Sequence, residues 1–259
     1  TFNRAMIDSV TKQSTYISKE DGIVQVNSAH KKEKEDLDKI LQFVKDNEFV
    51  AAIELGANTD EVSSLKASLN ALEQSRDIKF NLGYQVVFKS RLLGNYNANG
   101  LYLESQQIVS CDMKNPSALI HEFIHAVDFG NPELFNSSQR RDIVQSFRNE
   151  MDREFLVESF GYKRANYYLS SHEIIARLGE ISYLLIKHDY KEGEGIDNFQ
   201  QRVKETETEN NNPYDLNLVK PISTYVDEFP HIYFNLKNID ESKLLMAKEF
   251  YKAYMGVKG

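Results

Sequence analysis

The sequence predicts an α+β fold, with helices first, a small sheet next, and a long helical half to finish. Three observations support this. Apolar residues recur at helical spacing between Lys31 and Gln74. The period then changes to short alternating runs broken by Gly and Asn, as far as Ser110. Helical periodicity returns beyond Pro132 and holds for most of the remaining chain.

Residues 1–30 are weakly patterned and read as a loose or partly helical lead-in. From Lys31 to Phe49, Leu37, Ile40, Leu41 and Val44 recur between charges, which predicts an amphipathic helix. A second helix is expected over Asp60–Gln74 from Leu65, Leu69 and Leu72, with Thr59 or Asp60 as its cap. Ile78–Leu82 and Gln85–Lys89 read as strands joined by a Gly-containing turn, and Asn95–Gly100 as a loop. Leu101–Ser110 reads as two short strands or a hairpin. Asn115 as N-cap and Pro116 at the first helical position then open a helix expected to end near Gly130. Further helices are expected over Arg140–Phe155, Ser171–Lys187 and Lys243–Met255. The polar stretch Glu205–Asp215 is expected to be a loop. There are no internal repeats.

The chain has 259 residues, enough for one large domain or two small ones. Its formal net charge of -8 argues against a nucleic-acid partner, since phosphate binding needs clustered Lys and Arg. The single cysteine, Cys111, cannot form an internal disulfide. It reads as a buried inert thiol. No apolar run approaches the roughly 18 to 20 residues of a membrane span, and the start TFNRAMIDSV has no apolar signal core. The absent initiator Met reads as a processed or excised piece of a longer chain.

The residues His121-Glu122-Phe123-Ile124-His125 form H-E-x-x-H. Ligands four apart on a helix project from nearly one face, so both imidazoles can grip one Zn2+. The following carboxylate, Glu122, can take a proton from a water activated by the metal and pass it to a leaving amine. The competing reading is a pair of hydrogen-bonded structural histidines. Leu119, Ile120, Phe123, Ile124 and Val127 make the helix largely buried, however, and polar groups there are costly unless satisfied.

Catalytic zinc usually takes three protein ligands. A ligand six residues beyond His125 is excluded, because that position is Asn131. Glu173, opening an apolar helix, is the best candidate. Ser170 to Glu173 also reads as a capping box, and Glu180 and His172 are competitors.

HEFIHAVDFG resembles the active-site helix of zincin peptidases, and its H-E-F-x-H-A-V-D form is similar to that of the anthrax lethal factor family, which is gluzincin-like. The resemblance covers roughly residues 100–187. It implies a zincin-like metalloprotease fold: a small, mostly antiparallel sheet, an active-site helix and a largely helical C-terminal half. Residues 31–259 would then form a single catalytic domain, with the helical subdomain after about residue 130. The family carries its zinc-binding Glu in an E-F-F-A-E setting. Here Glu173-Ile174-Ile175-Ala176 is followed by Arg177 where the family has Glu. A family Tyr seven residues before that Glu stabilises the oxyanion. This chain has Asn166 at that position, with Tyr167 and Tyr168 beside it, and the resemblance implies that one of the two serves. It also implies that the edge strand Leu101, Tyr102 and Leu103 pairs with an extended substrate. The function implied is a zinc endopeptidase, a bacterial toxin or effector secreted to act on a protein in the host cytosol. An inactive binding module and a hydrolase of non-peptide amides are the alternatives.

Asp128, seven residues after His121, is expected to accept a hydrogen bond from a ligand His. His231 reads as a core or surface residue, with stabilisation of the tetrahedral intermediate as the alternative. His30 and His188, beside lysines, read as exposed.

Overall fold

The computed structural model describes the backbone of residues 16–18, 23–26, 51–54, 85–88, 100–103, 108–111, 116–209 and 218–254, and the side chains of Gly100, 117–208 and 218–254. The described residues from Ser117 onward are 75% helical with no strand among them, so this region is largely helical. This overturns the α+β, zincin-like expectation. The expected helices Lys31–Phe49 and Asp60–Gln74 and the strand Ile78–Leu82 lie outside the described residues.

Ahead of the helical region only short backbone ladders are described: β1 (Tyr16–Ser18), β2 (Ile23–Val26), β3 (Ala51–Glu54), β4 (Gln85–Phe88), β5 (Gly100–Leu103) and β6 (Ile108–Cys111). Their pairing order is β1-β2-β3-β4-β6-β5. The pairs β2–β3, β3–β4 and β4–β6 are parallel, so the ladders are not mostly antiparallel either. Parallel neighbours need connections of a dozen residues or more, and the segments between these strands are that long. The expected hairpin is present as β5 and β6, with Gly100 opposite Cys111.

The chain divides into two compact units. One comprises Thr1–Glu73, Asn81–Ala126 and Pro213–Leu218; the other comprises Gln74–Phe80, Val127–Asn212 and Val219–Gly259. The boundary falls inside helix α1 (Leu119–Gly130), which a tight turn at Pro116–Ala118 leads into. In the first unit, Leu119, Ile120, Phe123, Ile124 and Ala126 are buried. The Ile120 N–H donates to the Leu218 carbonyl at 3.3 Å.

The second unit holds α2 (Pro132–Phe135), α3 (Ser138–Arg148), α4 (Arg153–Phe160), α5 (Tyr162–Tyr168), α6 (Ser171–Lys187), α7 (Ile196–Glu209) and α8 (Glu241–Tyr254). The single helix expected over Arg140–Phe155 is two. The Asp152 carboxylate accepts the Phe155 N–H at 2.9 Å and starts a new helix, a local bond that competes with continuing the old one. Gly161, at φ +80, ends α4 in a backbone conformation that side-chain-bearing residues rarely adopt. Helix α6 has the predicted bounds, and every residue from Glu173 to Ile186 is buried, so it is the core element of this unit. The α8 residue Tyr251 donates from its hydroxyl to the Ile175 carbonyl, which ties α8 to α6. Helix α7 continues through Glu209, where a loop was expected from Glu205; Thr206 spends its hydroxyl on the Arg202 carbonyl one turn back.

Candidate metal centre

Helix α1 presents His121 and His125 one turn apart. Their Nε2 atoms are 3.1 Å from each other and the rings meet edge to face, with centroids at 4.7 Å. Two nitrogens that each lie about 2.0 to 2.1 Å from a shared tetrahedral zinc are separated by roughly 3.3 Å, so the spacing suits a pair of ligands. His121, His125 and Glu173 each offer one ligand atom, and these atoms lie within 4.8 Å of one another. This cluster could hold a metal ion. Two imidazoles and one carboxylate form a donor set that zinc accepts in catalytic sites. His125 and Glu173 are buried, at 7% and 3% exposure.

The alternatives for the third ligand have other engagements. Glu180, 2% exposed, receives a hydrogen bond from the Tyr225 hydroxyl at 2.9 Å. Burial first, and then the Glu180 charge, push the Tyr225 phenol well above its ordinary range, so it stays a donor. Tyr233 is raised for the same two reasons, and Lys220 Nζ donates to its hydroxyl at 3.4 Å. The His172 ring lies 6.0 Å from that of Phe129.

Glu173 has a charged neighbour on its own helix. Arg177 Nη2 donates to Glu173 Oε2 at 3.3 Å, and Arg177 Nη1 donates to the Tyr168 carbonyl at 3.1 Å. The guanidinium also lies 4.7 Å from the Tyr168 ring centroid. The competing capping-box reading lacks its Ser170 half: Ser170 makes no side-chain cap bond and donates to the Tyr167 carbonyl at 2.7 Å instead. Glu173 thus meets Arg177 and belongs to the cluster.

Of the two candidate tyrosines, Tyr168 is buried and its hydroxyl accepts from Arg164 Nε at 3.0 Å, while Tyr167 is 49% exposed.

Asp128 is corrected. Its carboxylate is fully buried and takes both arms of Arg140, at 2.7 and 2.6 Å, together with the Tyr254 hydroxyl at 2.7 Å. These bonds lock α1 to α3 and α8 and occupy the oxygens expected to face a ligand His. Burial and then the Asp128 charge raise the Tyr254 phenol, which keeps it a donor. His188 is not exposed as expected: it is half-buried, its pKa pushed down to about 4 by burial and by Lys187 and Arg202. The His231 ring stacks on Phe155 at 3.9 Å. His30 lies outside the described residues.

The catalytic candidate Glu122 has a close backbone neighbour that sequence reasoning missed. A Cβ placed on Gly100 would lie 2.7 Å from Glu122 Cγ and 3.1 Å from its Oε1. The strand that begins at Gly100 therefore needs glycine to approach this carboxylate. Leu101, Tyr102 and Leu103 follow in β5, the last strand in the pairing order.

No family model matches the chain, nor does any curated protein or any solved structure. Among the described residues, no helix is long and apolar enough to cross a membrane.

Proposed function

We propose that this chain is a zinc-dependent endopeptidase that hydrolyses a peptide bond in a protein substrate. One observation carries the reading: the donor atoms of His121, His125 and Glu173 lie within 4.8 Å of one another, with Glu122 next to the first of them in the chain. Zinc, when bound, supplies a Lewis acid that lowers the pKa of water and polarises a carbonyl. His121, His125 and Glu173 hold it. Glu122 takes the proton of the attacking water and returns it to the leaving amine. Arg177 fixes the Glu173 side chain through Oε2. An extended substrate adds alongside Leu101–Leu103 through main-chain hydrogen bonds. Tyr167, the exposed member of its pair, donates to the developing oxyanion. The likeness of the H-E-F-x-H-A-V-D segment to the lethal factor family extends the proposal to a bacterial effector with a host protein as substrate.

The test compares the parent chain with Glu122→Gln. Both are expected to carry one zinc per chain by elemental analysis. Only the parent should create new peptide termini in a cell lysate, read by mass spectrometry. Equal cutting by the two proteins overturns the reading.

A further inference from the structure

A pocket of about 410 Å³ in the second unit is lined by Arg148, Met151, Arg153, Asn166 and Leu169. Its two arginines are held by neutral acceptors. Arg148 donates from Nε to the Leu169 carbonyl at 3.0 Å and from Nη2 to Ser171 Oγ at 2.9 Å, with Gln145 Oε1 at 3.4 Å from Nη1. Arg153 donates from Nη2 to Asn166 Oδ1 at 3.1 Å. Neither forms an ion pair among the described residues. Two acids near in sequence are committed elsewhere: Glu150 pairs with Lys243, and Asp152 caps α4. A guanidinium has five N–H donors, so both groups keep some to spare.

Two arginines without a carboxylate partner thus line one pocket in a chain of net charge -8. A second feature points the same way. Arg148 reaches Ser171 at the start of α6, a helix of 17 residues whose Ser170 makes no side-chain cap bond. The positive end of that helix adds to the field of the arginines. Met151 and Leu169 supply apolar wall for a short methylene stem.

We propose that this pocket binds the carboxylate of an acidic side chain, preferentially glutamate, on a peptide. Carboxylates match the planar fork of arginine, and Met151 and Leu169 cover the stem of Glu better than the shorter one of Asp. The capture of the carboxylate does not rest on the peptidase reading.

The test is fluorescence anisotropy with rhodamine-labelled hexapeptides that differ only in Glu or Gln at one central position. They are titrated with Glu122→Gln protein, both zinc-loaded and zinc-free. The Glu peptide is expected to bind about tenfold more tightly in both forms, with an advantage that shrinks as salt rises. Arg153→Gln should abolish that advantage, and because Arg153 is exposed the circular dichroism and Tm should not change. Arg148→Gln should abolish it too. A missing advantage overturns the proposal, as does one that survives both substitutions. Inorganic phosphate binding at the arginines with no discrimination between the peptides also overturns it. Because the zinc-free arm needs no metal, failure of the zinc reading and failure of the pocket are told apart.

Discussion

Arg177 donates to Glu173 Oε2 across 3.3 Å, one turn along the same helix, and both side chains are only 4% exposed. In a water-poor interior such a pair is held by its own attraction, and removing one member strands the other charge at about 3 to 5 kcal/mol. A divalent cation at Glu173 supplies positive charge to the same carboxylate. Arg177 therefore acts as a built-in countercharge when no metal is held.

Replacing Arg177 with Met should lower the stability of the metal-free protein by about 3 kcal/mol, the cost of stranding the Glu173 carboxylate. Zinc should then raise Tm more in Arg177→Met than in the parent, because the ion neutralises a carboxylate that has lost its partner. Differential scanning calorimetry with and without zinc reads both effects. Equal zinc-induced shifts would show that Arg177 does not act on the Glu173 charge.

Glu173→Ala should reduce zinc affinity by at least tenfold, measured by competition with a chelating dye. Glu180→Gln keeps an acceptor for Tyr225 and should leave zinc binding within about twofold. The reverse pattern would transfer the ligand role to Glu180.

Gly100→Ala places a methyl group 2.7 Å from Glu122 Cγ, so the carboxylate must swing aside. Turnover should fall by about tenfold to a hundredfold with zinc content unchanged, since a base out of place loses much of the 10² to 10⁴ that general base catalysis supplies. Undiminished kcat in Gly100→Ala would rule out the close approach as a constraint on the base.

Asp128→Ala leaves the Arg140 guanidinium buried without its carboxylate, and the Tyr254 hydroxyl without its acceptor. A loss of about 3 to 5 kcal/mol in urea unfolding is expected. Zinc affinity of the folded fraction should stay within about twofold, because Asp128 bonds to Arg140 and Tyr254 rather than to a ligand imidazole. A marked zinc deficit in folded Asp128→Ala would restore the role read from spacing.

His188 binds its proton only near pH 4 in the folded chain, against 6.5 as the ordinary value, because it is half-buried beside Lys187 and Arg202. Between those two values the unfolded chain carries the extra proton, so acid favours unfolding. The contribution of this group is complete above about pH 6.5 and is lost as pH falls toward about 4. His188→Gln should flatten the fall in Tm over that window. A slope identical to the parent's would show that His188 titrates normally.

Much of the candidate site was legible along the chain. H-E-x-x-H picks out two candidate ligands because helix geometry alone brings residues four apart to one face, and the apolar stripe of Ser171–Lys187 marks a buried helix with Glu173 in its first turn. Helical periodicity beyond Pro132 also foretold the helical half. The fold class was not legible: the family resemblance implied a small, mostly antiparallel sheet, whereas the described residues from Ser117 onward are largely helical and most of the described strand pairings are parallel. Such pairing depends on long connections whose path leaves no local signal.

What the sequence by itself determined was the local chemistry: which side chains can bind a cation, and which helix carries each. Only the tertiary structure decided how the remaining charges are matched. Asp128 went to Arg140 and Tyr254, and Glu180 to Tyr225, while Glu173 kept Arg177 as its neighbour within the metal cluster. The physical reason is that a buried carboxylate must find a donor or a cation, and for Asp128 and Glu180 those partners come from other elements of the chain rather than from their own helix.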